Sequence, residues 1–243
     1  MKGFIQFLLG LVAGLAIAFA VSHLKPQEIA VTQSANSVEQ SYELADFTGV
    51  KVGSAFNAVV SHGEFGVTIK VPEEILPYIK AEVSDGILTI GTRGNVKLNP
   101  KIANCKAFIY LPELRFLSAS GASSVLAGDF TGSEVDVESS GAADIELGGD
   151  LARITIKSSG ASSVNLKGLA EQIAVQASGA SGISLAGEGS SLKIAATGAS
   201  NVDADDFAAE SISIDASGAS KVYYKEAASE NIRTSGSAVA KKK

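Results

Sequence analysis

Ser-Gly-Ala-Ser occurs at Ser120, Ser159, Ser178 and Ser217, with close variants at Ser140 (Ser-Gly-Ala-Ala), Thr197 (Thr-Gly-Ala-Ser) and Ser235 (Ser-Gly-Ser-Ala). The glycines of these seven copies, Gly121, Gly141, Gly160, Gly179, Gly198, Gly218 and Gly236, lie about 19 residues apart, which marks an internal repeat. The apolar residues recur in step with them. Four residues after the glycine stand Val125, Ile145, Val164, Ile183, Val202 and Val222, and two further on Ala127, Leu147, Leu166, Leu185, Ala204 and Tyr224. Before the next glycine come Val135 and Val137, Ile154 and Ile156, Ile173 and Val175, Leu192 and Ile194, and Ile212 and Ile214. Both sets alternate with a period of two, which places each on one face of a strand. The β-branched content disfavours a helix. A unit of about 19 residues is also short for a strand–helix–strand crossover.

Two short strands and tight turns therefore make one rung, and each strand pairs with its equivalent on the next. The expected fold is all-β: a right-handed parallel β-helix-like solenoid with rungs of about 19 residues and an irregular N-terminal section. The repeat glycine supplies positive φ at the turn, the alanine is expected to fit the interior, and the serines to bond local backbone or form a ladder. Phe130, Leu151, Leu169 and Phe207 read as bulky corner residues between the strands. Upstream, Phe47–Val52 reads as a strand. Ala58–Val60 and Gly66–Val71 read as the two strands of another rung, ending at Pro72. Asp85-Gly86 between two apolar runs signals a hairpin. Positions 95–104 read as a loop, and the regular coil is expected from about Arg115.

Three segments follow: 1–24, 25–46 and 47–243. The first is an apolar run, Phe4 to Val21, behind Lys2. It fits a secretory signal with Ala18-Phe19-Ala20 as cleavage site, or a retained membrane anchor by its length. Either reading exports the rest to the periplasm or cell surface. The second segment is polar and reads as a linker; the third is the solenoid. A formal net charge of −6 excludes a phosphate-neutralising nucleic-acid surface. The single cysteine, Cys105, reads as a small buried hydrophobe, and the histidines are only His23 and His62. The terminal Lys241-Lys242-Lys243 suits the guarding of an open sheet edge, where self-association would otherwise start.

Phe47-Thr48-Gly49-Val50-Lys51-Val52, Asp85-Gly86-Ile87-Leu88-Thr89-Ile90 and the repeated Ser-Gly-Ala turn followed by Val or Ile, in that order, resemble a bacterial family described as "putative auto-transporter adhesin, head GIN domain". The resemblance runs from about Phe47 to Val239. It implies a β-helical cell-envelope protein and carries over no catalytic residue. The sequence shows no C-terminal run of amphipathic strands suited to an outer-membrane barrel.

Candidate chemistry is sparse. Paired acids occur at Asp136 with Glu138, Asp144 with Glu146, and Asp203 with Asp205 and Asp206. Two carboxylates can hydrolyse a glycosidic bond when they flank it in a cleft, but these alternate with core positions and read as solvated. Gly148-Gly149-Asp150 is a lone calcium-loop-like fragment, since no acid recurs at one place in every rung. The serine turns contain no histidine to activate a hydroxyl. The expectation is a non-catalytic envelope-binding or adhesion-type module without cofactor or metal. Its partner is an envelope protein or a glycan. The absence of Trp, with Tyr223 the one outward aromatic among the repeats, favours protein over sugar. The alternative is a β-helix polysaccharide lyase or hydrolase using paired carboxylates.

Overall fold

The computed structural model describes residues 36–93, 104–132 and 134–243. The leader lies outside the described residues, as does nearly all of the loop expected at 95–104. Among the described residues no helix is long and apolar enough to cross a membrane. The chain is a β-solenoid of about 7 turns, about 19 residues apart.

The N-terminal third is a cap that mixes strands stacked in parallel with the coil and strands paired antiparallel. Its strands are β1 (Ser37–Tyr42), β2 (Gly49–Val52), β3 (Phe56–His62), β4 (Gly66–Pro72), β5 (Ile79–Ser84), β6 (Ile87–Thr92) and β7 (Cys105–Leu111). β1 falls within the stretch expected to be linker and pairs antiparallel with β4. β5 and β6 form the hairpin signalled by Asp85-Gly86, both of which take positive φ (52° and 72°), as a two-residue turn requires. Pro72 ends β4, and a 3-10 helix, Glu73–Tyr78, follows. The pairing expected for the segments at 58–60 and 66–71 is corrected. β3 lies parallel between other strands, whereas β4 runs antiparallel to β7. The alternation in β4 is genuine, but a period of two does not say which way the partner strand runs.

The regular coil opens with β8 (Phe116–Ala119), β9 (Ser124–Thr131) and β10 (Glu134–Ser139). Then come β11 (Asp144–Ser158), β12 (Ser163–Ala177), β13 (Gly182–Ala196) and β14 (Asn201–Ala216), each a long strand bent at its middle, and finally β15 (Lys221–Tyr224), β16 (Ser229–Thr234) and β17 (Val239–Lys242). All of these pair in parallel with their equivalents one rung away. Val125, Ile145, Val164, Ile183, Val202 and Val222 stand in one unbroken register column, none more than 2% exposed. The opposite wall of the core is built by Val137, Ile156, Val175, Ile194 and Ile214. Burying an aliphatic side chain of this size contributes about 1.5–3 kcal/mol, so stacked aliphatic columns, not disulfides, hold the coil.

The turn is built differently from the expectation. The repeat glycines have φ between 69° and 76°. The alanines after them are exposed, and it is the second serine that faces inward: Ser123, Ser162, Ser181, Ser200 and Ser220 are at most 2% exposed. An inward hydroxyl at this corner can reach a carbonyl that an alanine methyl cannot. Ser162 Oγ donates to Ser159 O (2.8 Å), Ser220 Oγ to Ser217 O (2.9 Å) and Ser181 Oγ to Ser158 O (3.3 Å). The turns also hydrogen-bond to one another, Ala161 N–H to Gly141 O and Ala180 N–H to Gly160 O at 2.8 Å.

A second glycine ladder stands at the strand bend. Gly149, Gly168 and Gly187 are in register and have φ of 143°, 143° and 133°. A Cβ on Gly168 would lie 2.0 Å from Gly149 O, and one on Gly187 1.8 Å from Gly168 O. The fragment Gly148-Gly149-Asp150 belongs to this bend. Phe130 and Phe207 close the two ends of the ladder and are buried, as is Leu151. Leu169 is 51% exposed. It shares the outward register of Asp150 and Glu188, and Ala170 pairs with Leu151 in the inner position.

Candidate functional site

Stacking in register turns every outward residue type into a column along the rod. Two broad outer faces result. One carries the first halves of the long strands. Here Phe108, Val59, Leu126, Glu146, Asn165, Ser184, Asp203 and Tyr223 follow one another across successive strands. The other carries the second halves, with the column Lys51, Ser118, Glu138, Lys157, Gln176, Ala195, Asp215, Arg233.

The acid pairs all project from these faces. Asp136, Asp144 and Glu146 are exposed, and Glu138 is half-buried and ion-paired to Lys157 at 3.3 Å. Asp203 and Asp205 are brought together near the last strand, where Lys243 lies 2.9 Å from Asp205 and 3.6 Å from Asp203. The Lys243 hydrogen bond holds Asp205 below its ordinary value, while burial raises Asp203. The Lys243 ammonium also sits 4.3 Å from the ring centroid of Tyr223, a cation–π contact that covers the half-buried outward aromatic. Lys242 reaches Glu226 at 3.0 Å and Glu230 at 3.7 Å. The terminal lysines thus tie down the edge strand as well as charging it. Among the described residues no group of three or more His, Cys, Asp or Glu side chains is placed to hold a metal ion.

Cys105 is fully buried, and burial pushes its thiol up to about 12, which leaves no thiolate for nucleophilic chemistry at neutral pH. His62 lies edge-on to Phe130, 6.3 Å between centroids. The serine turns contribute hydroxyls to the core on one side and to the surface on the other.

A groove of about 750 Å³ lies on the second face. Its floor is made by small outward residues, Ala174 and Ala195, together with the first hydroxyls of successive turns, Ser140, Ser159, Ser178 and Thr197. Lys51, Lys157 and Lys193 line it with Glu138. Sequence reasoning missed this groove. The signal was present in the small residues at outward positions of adjacent rungs, but it becomes a depression only once the register is known.

The family described as "Putative auto-transporter adhesin, head GIN domain" matches residues 46–183 and 151–243. Crystal structures of similar fold include a "putative adhesin" from Bacteroides fragilis with a TM-score of 0.77 and 21% identity, covering 88% of this chain and 100% of that one. Another "putative adhesin", from Parabacteroides distasonis, has a TM-score of 0.72 and 17% identity over 89% of this chain and 96% of the other. A "putative lipid binding protein" from Parabacteroides distasonis reaches 0.75 at 14% identity, over 89% and 99%. At these identities the likeness is one of fold. Comparison with curated proteins gives no match. The two family matches together run from residue 46 to 243, which takes in β2 and every later strand, so the chain belongs to the head GIN domain family of "putative auto-transporter adhesins".

Proposed function

We propose that the protein is a non-catalytic, adhesion-type binding module of the cell envelope, carried outside the cytoplasm by its apolar N-terminal segment. The observation that carries this reading is the pair of extended outer faces. Parallel register repeats polar side chains along the rod at about 4.8 Å intervals, a surface suited to shallow recognition over many rungs. The paired acids stand on these exposed faces, ion-paired or solvated. General acid–base chemistry needs a group held within hydrogen-bond reach of the proton it moves. The family assignment and the adhesin descriptions of the similar crystal structures support the same reading. The domain organisation proposed with it is an N-terminal signal or anchor followed by the solenoid, with β1 as the first strand of the folded unit.

The test pairs binding with turnover. Labelled protein is expected to be retained on bacterial envelope fractions and to release no product from a panel of acidic and neutral polysaccharides. Turnover that is lost in Asp203→Asn/Asp205→Asn, or in Asp144→Asn/Glu146→Gln, with the circular dichroism spectrum unchanged, would replace the binding module with an enzyme.

A further inference from the structure

We infer that the groove on the second face binds an extended acidic polysaccharide lying along the solenoid axis. The inference rests on the binding-module reading and names its ligand class and site. Three features of the groove carry it.

The first is shape. The groove runs across rungs from Lys51 on β2 to Lys193 on β13 and Thr197 in the turn after it. It therefore crosses β2, β8, β10, β11, β12 and β13, roughly 24 Å at the usual strand spacing. Its small-residue floor leaves room for a chain laid lengthwise, and its volume of about 750 Å³ is that of a ligand site rather than a surface dimple.

The second is charge. The protein carries −6 overall, yet the groove is lined by three lysines and one glutamate. Glu138 is spent on Lys157 at 3.3 Å. Lys51 and Lys193 are exposed, and neither forms an ion pair with a described residue. They sit toward opposite ends of the groove, a spacing that suits charges distributed along a polymer rather than one compact anion. An ammonium meets a carboxylate or sulfate as a charge-assisted hydrogen bond.

The third is the chemistry of the floor. Ser140, Ser159, Ser178 and Thr197 present hydroxyls, and Gln176 an amide, in adjacent columns. Ser140, Ser159 and Gln176 can both donate and accept, while the Ser178 and Thr197 hydroxyls donate to the carbonyls of Ser158 and Ala177 at 3.4 Å and offer their oxygens as acceptors, a mixture that suits sugar hydroxyls. An acidic peptide fits less well. Extended peptides bind by adding to a sheet edge or by seating apolar anchors. The backbone here is already used rung to rung: the amides of Ser159, Ser178 and Thr197 donate to Ser139, Ser158 and Ala177 carbonyls at 2.9 Å. The side wall offers no free edge.

The test uses the full chain with polygalacturonate as probe, poly-glutamate as the peptide control and dextran as the neutral control. Polygalacturonate is expected to bind, and to weaken as salt is raised from about 50 mM to about 500 mM, because exposed charges are screened. Lys51→Glu/Lys193→Glu is expected to reduce binding about tenfold or more. Lys106→Glu/Lys221→Glu makes the same charge change on the other face and is expected to alter it by less than about threefold. Equal loss in both variants would overturn the groove in favour of bulk charge. Poly-glutamate bound as tightly, with the same dependence on Lys51 and Lys193, would overturn the glycan assignment. If neither polymer binds while envelope retention persists, the inference fails and the binding-module reading stands. Polygalacturonate binding without envelope retention would sink that reading and leave the groove in place.

Discussion

At the residue scale the two glycine ladders are not equivalent to the other glycines of the coil, and substitution separates them. Gly168 needs φ of 143° and has no room for a Cβ, which would meet a backbone oxygen 2.0 Å away. A strained backbone conformation alone costs about 1–3 kcal/mol, and the neighbour here is main chain that cannot rotate aside. Gly168→Ala is expected to destabilise the protein by at least about 3 kcal/mol, read by chemical denaturation. Gly182→Ala is the control. It opens the next strand, β13, with nothing within 4 Å of the added carbon, and its change should stay within about 0.5 kcal/mol. The buried turn serine behaves differently again. Ser158 and Ser162 hydroxyls lie 2.9 Å apart in the core. One rung earlier Ala143 occupies the position of Ser162, and Ser139 Oγ turns instead to the carbonyl of residue 143 at 3.3 Å. The same escape is open to Ser158, so Ser162→Ala is expected to cost about 1 kcal/mol or less. The repeat glycines were legible in the sequence because one requirement recurs in every rung. The inward serine was not, because Ser-Gly-Ala-Ser offers two small residues on either side of a bend, and composition does not say which the bend turns inward.

At the scale of single elements, the strands with a clear alternation and a turn signal were legible, and those defined by their partners were not. The β5–β6 hairpin follows from Asp85-Gly86, since two consecutive residues with positive φ close a two-residue loop. β4 has equally good alternation, yet its antiparallel place against β7 depends on a chain reversal that its own residues do not encode. The bent strands β11 to β14 read as two strands each in the sequence, because pairing continues through the bend at Gly149, Gly168 and Gly187, where the alternation of apolar residues is interrupted. The edge strand β17 makes an element-level prediction about acid. Lys243 holds Asp205 below its ordinary value. A carboxyl whose folded value is depressed contributes stability above its unfolded value, near pH 4, and loses it as pH falls through the folded one. Asp203, raised by burial, works in the opposite sense, so the effect belongs to the Lys243–Asp205 contact. Amide exchange at Lys241 and Lys242 is expected to quicken on acidification below about pH 4, after correction for intrinsic rates. In Asp205→Asn it should already be faster at neutral pH. Unchanged protection across that range would show that the lysine contacts do not secure the strand.

At the scale of the whole molecule the two ends of the rod differ in kind. From β10 onward each rung touches only the rungs before and after it, so stability there is nearly a sum of rung and interface contributions. The N-terminal end is interleaved. β2 lies between β6 and β8, and β3 between β7 and β9, so the first rung in sequence is sandwiched by rungs formed later. Neither neighbour can be added until the chain has left β3, built the cap strands and returned. Closing such loops costs entropy before the contacts form, which makes the block from β1 to β9 one cooperative unit. Removal of residues 217–243 takes away β15, β16 and β17 and exposes the end of β14, whose inward residues already rest on β13. The truncated chain is expected to keep its strand signal and a cooperative transition, with a lower melting temperature and more self-association from the newly bared edge. Removal of residues 36–62 takes away β1, β2 and β3 and separates β6 and β7 from β8 and β9. That chain is expected to lose the cooperative transition altogether. Scanning calorimetry of the two truncations decides between this account and a uniform rod, in which losing either end would lower the transition by similar amounts.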